Sequence, residues 1–226
     1  MSFRAIYSLC VVVTTLTVAS GRADAQVVSE PVGRLQVAVG AGWLGGSAFG
    51  DQSADLRAAS GGPYRLFESE TSLGATASFE ARVGVLLTRR WGIDGRAAIA
   101  NPELQTIISS DAEASGSFTV AESIDRYIFD GGIVFRIDEW ETMGLVPFAS
   151  AGAGYVRQLH GEQELVETGH LYYVGGGFTH ALFARPQGMI RAASIRADLR
   201  LNVFSLELDE DSRSQGSVSG SLVLTF

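Results

Sequence analysis

Residues 217–226 at the end of the chain read Ser-Val-Ser-Gly-Ser-Leu-Val-Leu-Thr-Phe. One set of alternate positions holds Val218, Gly220, Leu222, Leu224 and Phe226, and the other holds Ser217, Ser219, Ser221, Val223 and Thr225. Alternation with a period of two indicates a β-strand that has one apolar and one mostly polar face. The stretch therefore predicts a terminal strand.

The same period of two recurs in eight stretches of the chain. They cover about 34–44, 74–87, 91–101, 124–137, 144–157, 170–183, 190–206 and 216–226. Stretches of ten or more residues exceed the five or six residues usual in soluble sheets, and they suit a tilted membrane crossing. Glycine is too frequent in the fifth and sixth stretches for their faces to be assigned. The pattern predicts an all-β fold, an eight-stranded antiparallel up-and-down transmembrane β-barrel.

The predicted connections alternate between long and short. Four longer loops, about 45–73, 102–123, 158–169 and 207–215, hold fifteen acidic residues and three arginines, a formal charge of −12. Three short turns, about 88–90, 138–143 and 184–189, hold three of each and are neutral. Outer-membrane barrels have longer external loops and short periplasmic turns. We therefore expect four external loops, three periplasmic turns and periplasmic termini.

Aromatic residues occur near the predicted strand ends. Trp43, Tyr127, Tyr155, Tyr172 and Phe204 fall near the long loops, and Trp91, Trp140, Phe183 and Phe226 fall near the short turns. Aromatic rings concentrate at both interfaces of a membrane. These residues are expected to form two girdles, although core aromatics of a soluble β-protein would give a similar pattern.

The polar faces of the strands carry charges of alternating sign. Ten residues are predicted to form a charge network inside the barrel: Glu80, Arg82, Asp94, Arg96, Arg126, Asp130, Arg136, Arg196, Asp198 and Arg200. Paired and hydrogen-bonded charges tolerate burial, and the planar guanidinium suits such pairing. Eight strands enclose a lumen just wide enough to be filled by side chains. A general porin is therefore not expected.

Composition and the N-terminal segment point to an exported protein. The 226 residues have a formal charge of −8, and Cys10 is the single cysteine. Arg4, an apolar stretch over 5–18 and the Ala23-Asp24-Ala25 sequence have the order of a signal peptide. We predict that residues 1–25 are a cleaved signal peptide, and that 26–226 form a single barrel domain.

The chain resembles the small eight-stranded outer-membrane β-barrels of Gram-negative bacteria, which include the transmembrane domain of outer membrane protein A and the opacity-type porin family. The likeness rests on the C-terminal strand, on Val-Pro-Phe-Ala-Ser-Ala-Gly-Ala-Gly-Tyr over 146–155, and on Tyr-Tyr-Val-Gly-Gly-Gly-Phe over 172–178. It implies that the barrel-assembly machinery recognises Leu222, Leu224 and Phe226. It also implies that outer-membrane lipids and lipopolysaccharide are partners. Members of this group act as envelope stabilisers, adhesins or narrow channels.

No motif in the sequence indicates enzyme chemistry. His160 and His170 flank a loop that holds three glutamates, but their spacing defines no metal geometry. His180 lacks the serine two residues away that barrel hydrolases of lipid A and phospholipid use. We expect no catalytic residues, cofactor, metal or nucleic-acid partner. The expected role is structural or interactive, through acidic surface loops. A narrow channel and a soluble periplasmic lipocalin-like barrel for a hydrophobic ligand stay as alternatives.

Overall fold

The computed structural model describes residues 34–57, 63–109, 117–160, 165–185, 187–206 and 212–226. The predicted signal peptide lies outside these residues, and its cleavage stays a prediction. Twelve strands occur in the described ranges. Eight of them form a barrel: β1 Leu35–Leu44, β4 Thr76–Leu86, β5 Trp91–Ala100, β8 Asp125–Arg136, β9 Leu145–His160, β10 Leu165–Ala184, β11 Ala192–Leu206 and β12 Arg213–Thr225.

The barrel closes because its first and last strands pair. β1 is antiparallel to β12, with Val39 opposite Leu222, and it is antiparallel to β4 on its other side. The order around the cylinder is β1-β12-β11-β10-β9-β8-β5-β4, and every neighbouring pair is antiparallel. The prediction of an eight-stranded antiparallel up-and-down barrel is confirmed.

The two ends of the cylinder differ. At one end, called the turn end, lie both ends of the described chain and the connections 87–90, 137–144 and 185–191. The second connection contains a short 3₁₀ turn, Asp138–Trp140, and its Met143 and Gly144 have positive φ angles of 55° and 75°. The opposite end, called the loop end, has the other four connections.

The loop end carries a second sheet that the sequence reading missed. The stretches 45–73 and 102–123, which we expected to be loops, contain β2 Ser47–Arg57, β3 Pro63–Leu73, β6 Glu103–Ser109 and β7 Phe118–Ser123. They pair in the order β2-β3-β6-β7, which is also the order of the barrel strands from which they continue. We call this four-stranded sheet the raised sheet. Its strands mix serine, threonine and acids with single apolar residues, so their period of two is weak.

Side chains alternate between the wall and the interior of the barrel. In β4, Phe79 and Val83 are exposed outside while Glu80 and Arg82 are buried inside. The same rule assigns the faces of β9 and β10, where Ser150 and Tyr173 lie inside and Tyr172 lies outside. No helix in the described ranges is long and apolar enough to cross a membrane.

Candidate functional site in the barrel lumen

Eight charged side chains meet at mid-height inside the barrel. They are four acids, Glu80, Asp94, Asp130 and Asp198, and four arginines, Arg82, Arg96, Arg196 and Arg200. We call this group the charge cluster; its formal charge is zero. Strands β4, β5, β8 and β11 supply two, two, one and three of its members, so the cluster connects opposite parts of the wall.

Glu80 joins two arginines of neighbouring strands. Its Oε1 accepts hydrogen bonds from Arg82 Nε at 2.9 Å and Nη2 at 2.8 Å, and its Oε2 accepts one from Arg96 Nη1 at 3.3 Å. Arg82 and Arg96 are directly opposite each other in the β4–β5 register. Like charges in that position repel, and the shared carboxylate compensates for this repulsion.

Asp198 is the most connected acid of the cluster. Arg196 donates to both of its oxygens at 2.9 Å, through Nε and Nη2, in the bidentate geometry that makes such pairs strong. Arg82 donates to Oδ1 from across the lumen at 3.2 Å, and Arg200 Nη2 lies 3.6 Å from the same oxygen. The carboxylate is buried, and the three arginines that share it each pair with a second acid as well.

Asp130 links the remaining arginines. Arg96 Nε donates to its Oδ2 at 2.7 Å, and Arg200 Nη1 donates to its Oδ1 at 3.1 Å. Two of the arginine side chains also stack on rings that face inward. The guanidinium of Arg200 lies 4.4 Å from the ring centre of Tyr173, and that of Arg196 lies 4.2 Å from the ring centre of Phe148. These contacts cover the flat faces of two buried cations.

Glycines opposite the charged residues provide the space that the cluster needs. Gly154 pairs with Asp130, and a Cβ at Gly154 would lie 2.6 Å from Asp130 Cβ. Gly175 pairs with Arg200, and a Cβ there would lie 2.8 Å from Arg200 Cγ. The glycine-rich segments of β9 and β10 therefore have a packing role inside the barrel.

Arg126 and Arg136 do not join the charge cluster, contrary to the sequence prediction. Arg126 lies nearer the loop end, donates to Gln215 Oε1 at 3.0 Å, and has its guanidinium 5.2 Å from the ring centre of Phe204. Arg136 lies at the turn end, where its Nε is 3.6 Å from Asp138 Oδ1. β8 is long enough that its two terminal arginines lie at opposite ends of the lumen, away from Asp130 in its centre.

An apolar layer, together with the buried polar residues Arg126, Gln158, Asn202 and Gln215, fills the lumen between the charge cluster and the loop end. It consists of the buried residues Leu44, Ala98, Ala100, Ile128, Val156, Leu171 and Phe204. We call it the apolar layer. Val156 and Leu171 have no exposed surface. Phe204, which we expected in the outer girdle, belongs to this interior layer because its position in β11 points inward.

The turn end of the lumen is less tightly filled. A cavity of about 50 Å³, enough for a few water molecules, lies among Asp94, Arg136, Phe148, Thr179 and Arg196. Its inner wall is one side of the charge cluster. The lumen therefore has three levels: a small polar cavity, a neutral charge cluster and an apolar layer.

The residues of the predicted assembly signal line the outer wall near the turn end. Leu222 and Leu224 lie opposite Val39 and Val37, and the Phe226 amide donates to Leu35 O at 2.9 Å. This pairing places the last residues in the seam that closes the barrel. Their recognition by assembly machinery stays a prediction.

The histidines do not form a metal site in the described part of the chain. No group of three histidine, cysteine, aspartate or glutamate side chains comes together there. His170 is exposed on β10. The glutamates at 162 and 164 and the His160 side chain lie outside what is described. His180 Nδ1 is 3.1 Å from Gly144 O in the second turn.

Comparisons with known proteins find distant similarity to solved structures alone. No protein-family model and no curated protein matches the chain. Neisserial surface protein A is 13% identical, with 85% of this chain and 97% of that chain covered and a TM-score of 0.49. Ail of Yersinia pestis, solved in complex with the heparin analogue sucrose octasulfate, is 16% identical, with 86% and 99% covered and a TM-score of 0.46. The outer membrane protein OprG from Pseudomonas aeruginosa is 10% identical, with 87% and 95% covered and a TM-score of 0.47. These likenesses are too distant to carry an activity, so the barrel assignment rests on this chain's own strand pairing.

Proposed function

We propose that the protein spans the outer membrane as a closed, filled β-barrel with a structural or interactive role. The observation that carries the proposal is the burial pattern of the barrel, which is the reverse of that of a soluble protein. Charged side chains such as Arg82 and Asp198 are buried in its interior, whereas Phe79, Leu199 and Val174 are exposed on its wall. A wall of this kind is stable against lipid, and closure leaves no strand edge unpaired in the hydrocarbon.

The interior argues against the lipocalin-like alternative. A soluble carrier of a hydrophobic ligand needs an apolar cavity inside and polar residues outside. Here the middle of the lumen holds eight charged groups, and the cavity of about 50 Å³ at the turn end is too small for such a ligand.

The filled lumen also argues against the channel alternative. An ion would have to pass the charge cluster, which connects opposite walls, and then the apolar layer, whose members are almost completely buried. Planar-bilayer recording of the purified protein tests this point. We expect no reproducible unitary currents; currents that disappear on substitution of Arg82 or Arg196 would overturn the filled-barrel proposal.

In this proposal the loop end faces the outside and both termini face the periplasm. The support is the placement of the longer connections and of the raised sheet at one end. The raised sheet exposes Asp51, Asp55 and Glu70, so the external surface would be acidic. Outer-membrane lipids, lipopolysaccharide and the barrel-assembly machinery are the partners we propose, and a surface ligand would contact the raised sheet.

Substitutions on the outer wall test membrane insertion. Leu199→Arg places a charge near the middle of β11, where it should cost about 2–4 kcal/mol, and Leu222→Arg, nearer the turn end, should cost less. Both should reduce the folded, heat-modifiable band on unboiled gels of membrane fractions. The matched control is Val120→Arg, because Val120 is similarly exposed but lies in the raised sheet. Normal folding of the Leu199 variant in detergent-free buffer would contradict the proposal.

A further inference from the structure

The turn end carries arginines at three places along its rim, from the β4–β5 connection past β1 to the β10–β11 connection. Arg34 precedes β1, Arg89 and Arg90 connect β4 to β5, and Arg185 and Arg191 lie in the connection from β10 to β11. All five side chains are exposed, and we call them the arginine belt. The acids of the described turns, Asp138, Glu139 and Glu141, are confined to the connection between β8 and β9.

Large apolar side chains are also strongly exposed in the turns of this end. Met143 is 91% exposed, Met189 80% and Trp140 69%, although all three lie in the turns beyond the strand ends. Turns that project into water have no reason to expose such residues. Apolar and aromatic side chains mixed with arginine are typical of segments at the level of lipid headgroups.

One belt arginine stacks on an aromatic ring, and another is exposed in the shortest turn. The guanidinium of Arg185 lies over the Phe183 ring, 5.2 Å from its centre, so the ring covers one flat face of the cation. Arg89 is exposed in the shortest turn, two residues before Trp91, whose ring centre lies 4.7 Å from that of Phe135. Guanidinium edges in this position match the geometry of phosphate oxygens.

The loop end has a different girdle. Its exposed rings are Trp43, Tyr155 and Tyr172, and acids dominate the adjoining connections. Arg157 on β9 is the exposed arginine of that girdle among the described residues. The two rims would therefore contact lipids of different headgroup chemistry.

We propose that the arginine belt binds the phosphate groups of anionic phospholipids in the leaflet at the turn end. The inference rests on the proposed membrane insertion and adds the lipid class that the rim selects. A lipid occupant is favoured over a protein partner because the arginines lie at three places on the rim and the exposed apolar residues lie in two different turns, rather than forming one patch. Each arginine near an anionic headgroup surface strengthens the association, and salt weakens it.

The test uses the full barrel in two kinds of lipid nanodisc. One contains phosphatidylcholine alone, and the other contains about 30% phosphatidylglycerol in phosphatidylcholine, which gives a moderately anionic surface. Spin-labelled lipids then report the association of each headgroup with the protein. We expect phosphatidylglycerol to associate more strongly than phosphatidylcholine, by about fivefold at a site with one arginine, and we expect 1 M salt to remove most of the difference.

Three variants locate the preference. Arg89→Gln with Arg185→Gln should remove most of it, whereas Arg89→Lys with Arg185→Lys should retain it. The control at the loop end, Arg157→Gln, changes an exposed arginine and should leave it unchanged. An equal loss in the loop-end control, or no preference in the wild-type protein, would overturn the belt proposal alone. Failure of the wild-type protein to insert into any bilayer would overturn membrane insertion and the belt together.

Discussion

The charge cluster and the apolar layer fill the same lumen by opposite means. In the cluster, four arginines and four acids form contacts between 2.6 and 4.0 Å, so each residue depends on partners in other strands. In the apolar layer, seven apolar side chains pack together, and the one cation in contact with them, Arg126, stacks on the Phe204 ring and forms no ion pair like those of the cluster. Because ion pairs with hydrogen bonds are directional, we infer that the cluster determines which strands face each other. Apolar packing is not directional, so the layer serves mainly to exclude water.

The largest effect is expected when the cluster loses its most connected acid. Asp198→Ala leaves Arg82, Arg196 and Arg200 with one compensating carboxylate fewer. Breaking a buried ion pair by removing one partner costs about 3–5 kcal/mol, since the remaining charge stays buried. Urea unfolding in lipid vesicles, followed by tryptophan fluorescence, measures the loss in free energy of unfolding.

A double variant distinguishes uncompensated charge from lost packing in the cluster. Asp198→Ala combined with Arg196→Ala removes one cation together with the acid, so it should be more stable than the sum of the two single losses predicts. Coupling near zero would mean that Asp198 acts mainly by filling space. In that case the cluster, like the apolar layer, would stabilise the barrel mainly by packing.

Truncation in the apolar layer should cost somewhat less and should not depend on salt. Leu171 has no exposed surface, and Leu171→Ala should lower the free energy of unfolding by about 2–5 kcal/mol through lost burial and the cavity that remains. The same urea titration at low and high salt compares this variant with Asp198→Ala. A loss for Leu171→Ala that changes strongly with ionic strength would contradict the view that Leu171 contributes through apolar packing.

The sequence predicts the cluster better than the layer for a physical reason. Arg196, Asp198 and Arg200 alternate with apolar residues along one strand, so their common face is visible without a structure. Which charges meet depends on barrel closure, since Arg82 and Asp198 are 116 residues apart. Inward apolar residues such as Leu171 and Phe204 look the same in the sequence as residues that face lipid. The members of the apolar layer can therefore be identified only when the pairing register of the strands is known.

The raised sheet shows the same limit of sequence reading. Thr71 and Thr106, whose hydroxyls lie 3.3 Å apart, pair two strands that continue from different barrel strands. Neither segment has an apolar face strong enough to indicate a strand alone. Their pairing follows from the order of the barrel strands that carry them, which becomes known only when the cylinder is closed.

A smaller effect is expected where the cluster needs empty space. Gly154→Ala would bring a methyl group against the backbone oxygen of Phe129 and within 2.6 Å of Asp130 Cβ, and overpacking of this kind costs about 1–3 kcal/mol. The matched control is Gly220→Ala, because a Cβ at Gly220 meets no atom within 4 Å. The folded fraction on unboiled gels and the urea midpoint should fall for the first variant only. Equal losses in both would point to strand flexibility rather than to space beside Asp130.

The smallest effect is expected for an ion pair of similar length outside the lumen. Arg90 Nη2 donates to Glu139 Oε1 at 2.7 Å, which is as short as the bonds of the cluster, but both side chains are more than half exposed. Water screens such a pair, so Glu139→Gln should change the free energy of unfolding by less than about 1 kcal/mol. The comparison with Asp198→Ala holds distance nearly constant and varies burial. If the two substitutions cost the same, burial would not be the source of the cluster's strength, and the contrast between its contacts and surface contacts would fail.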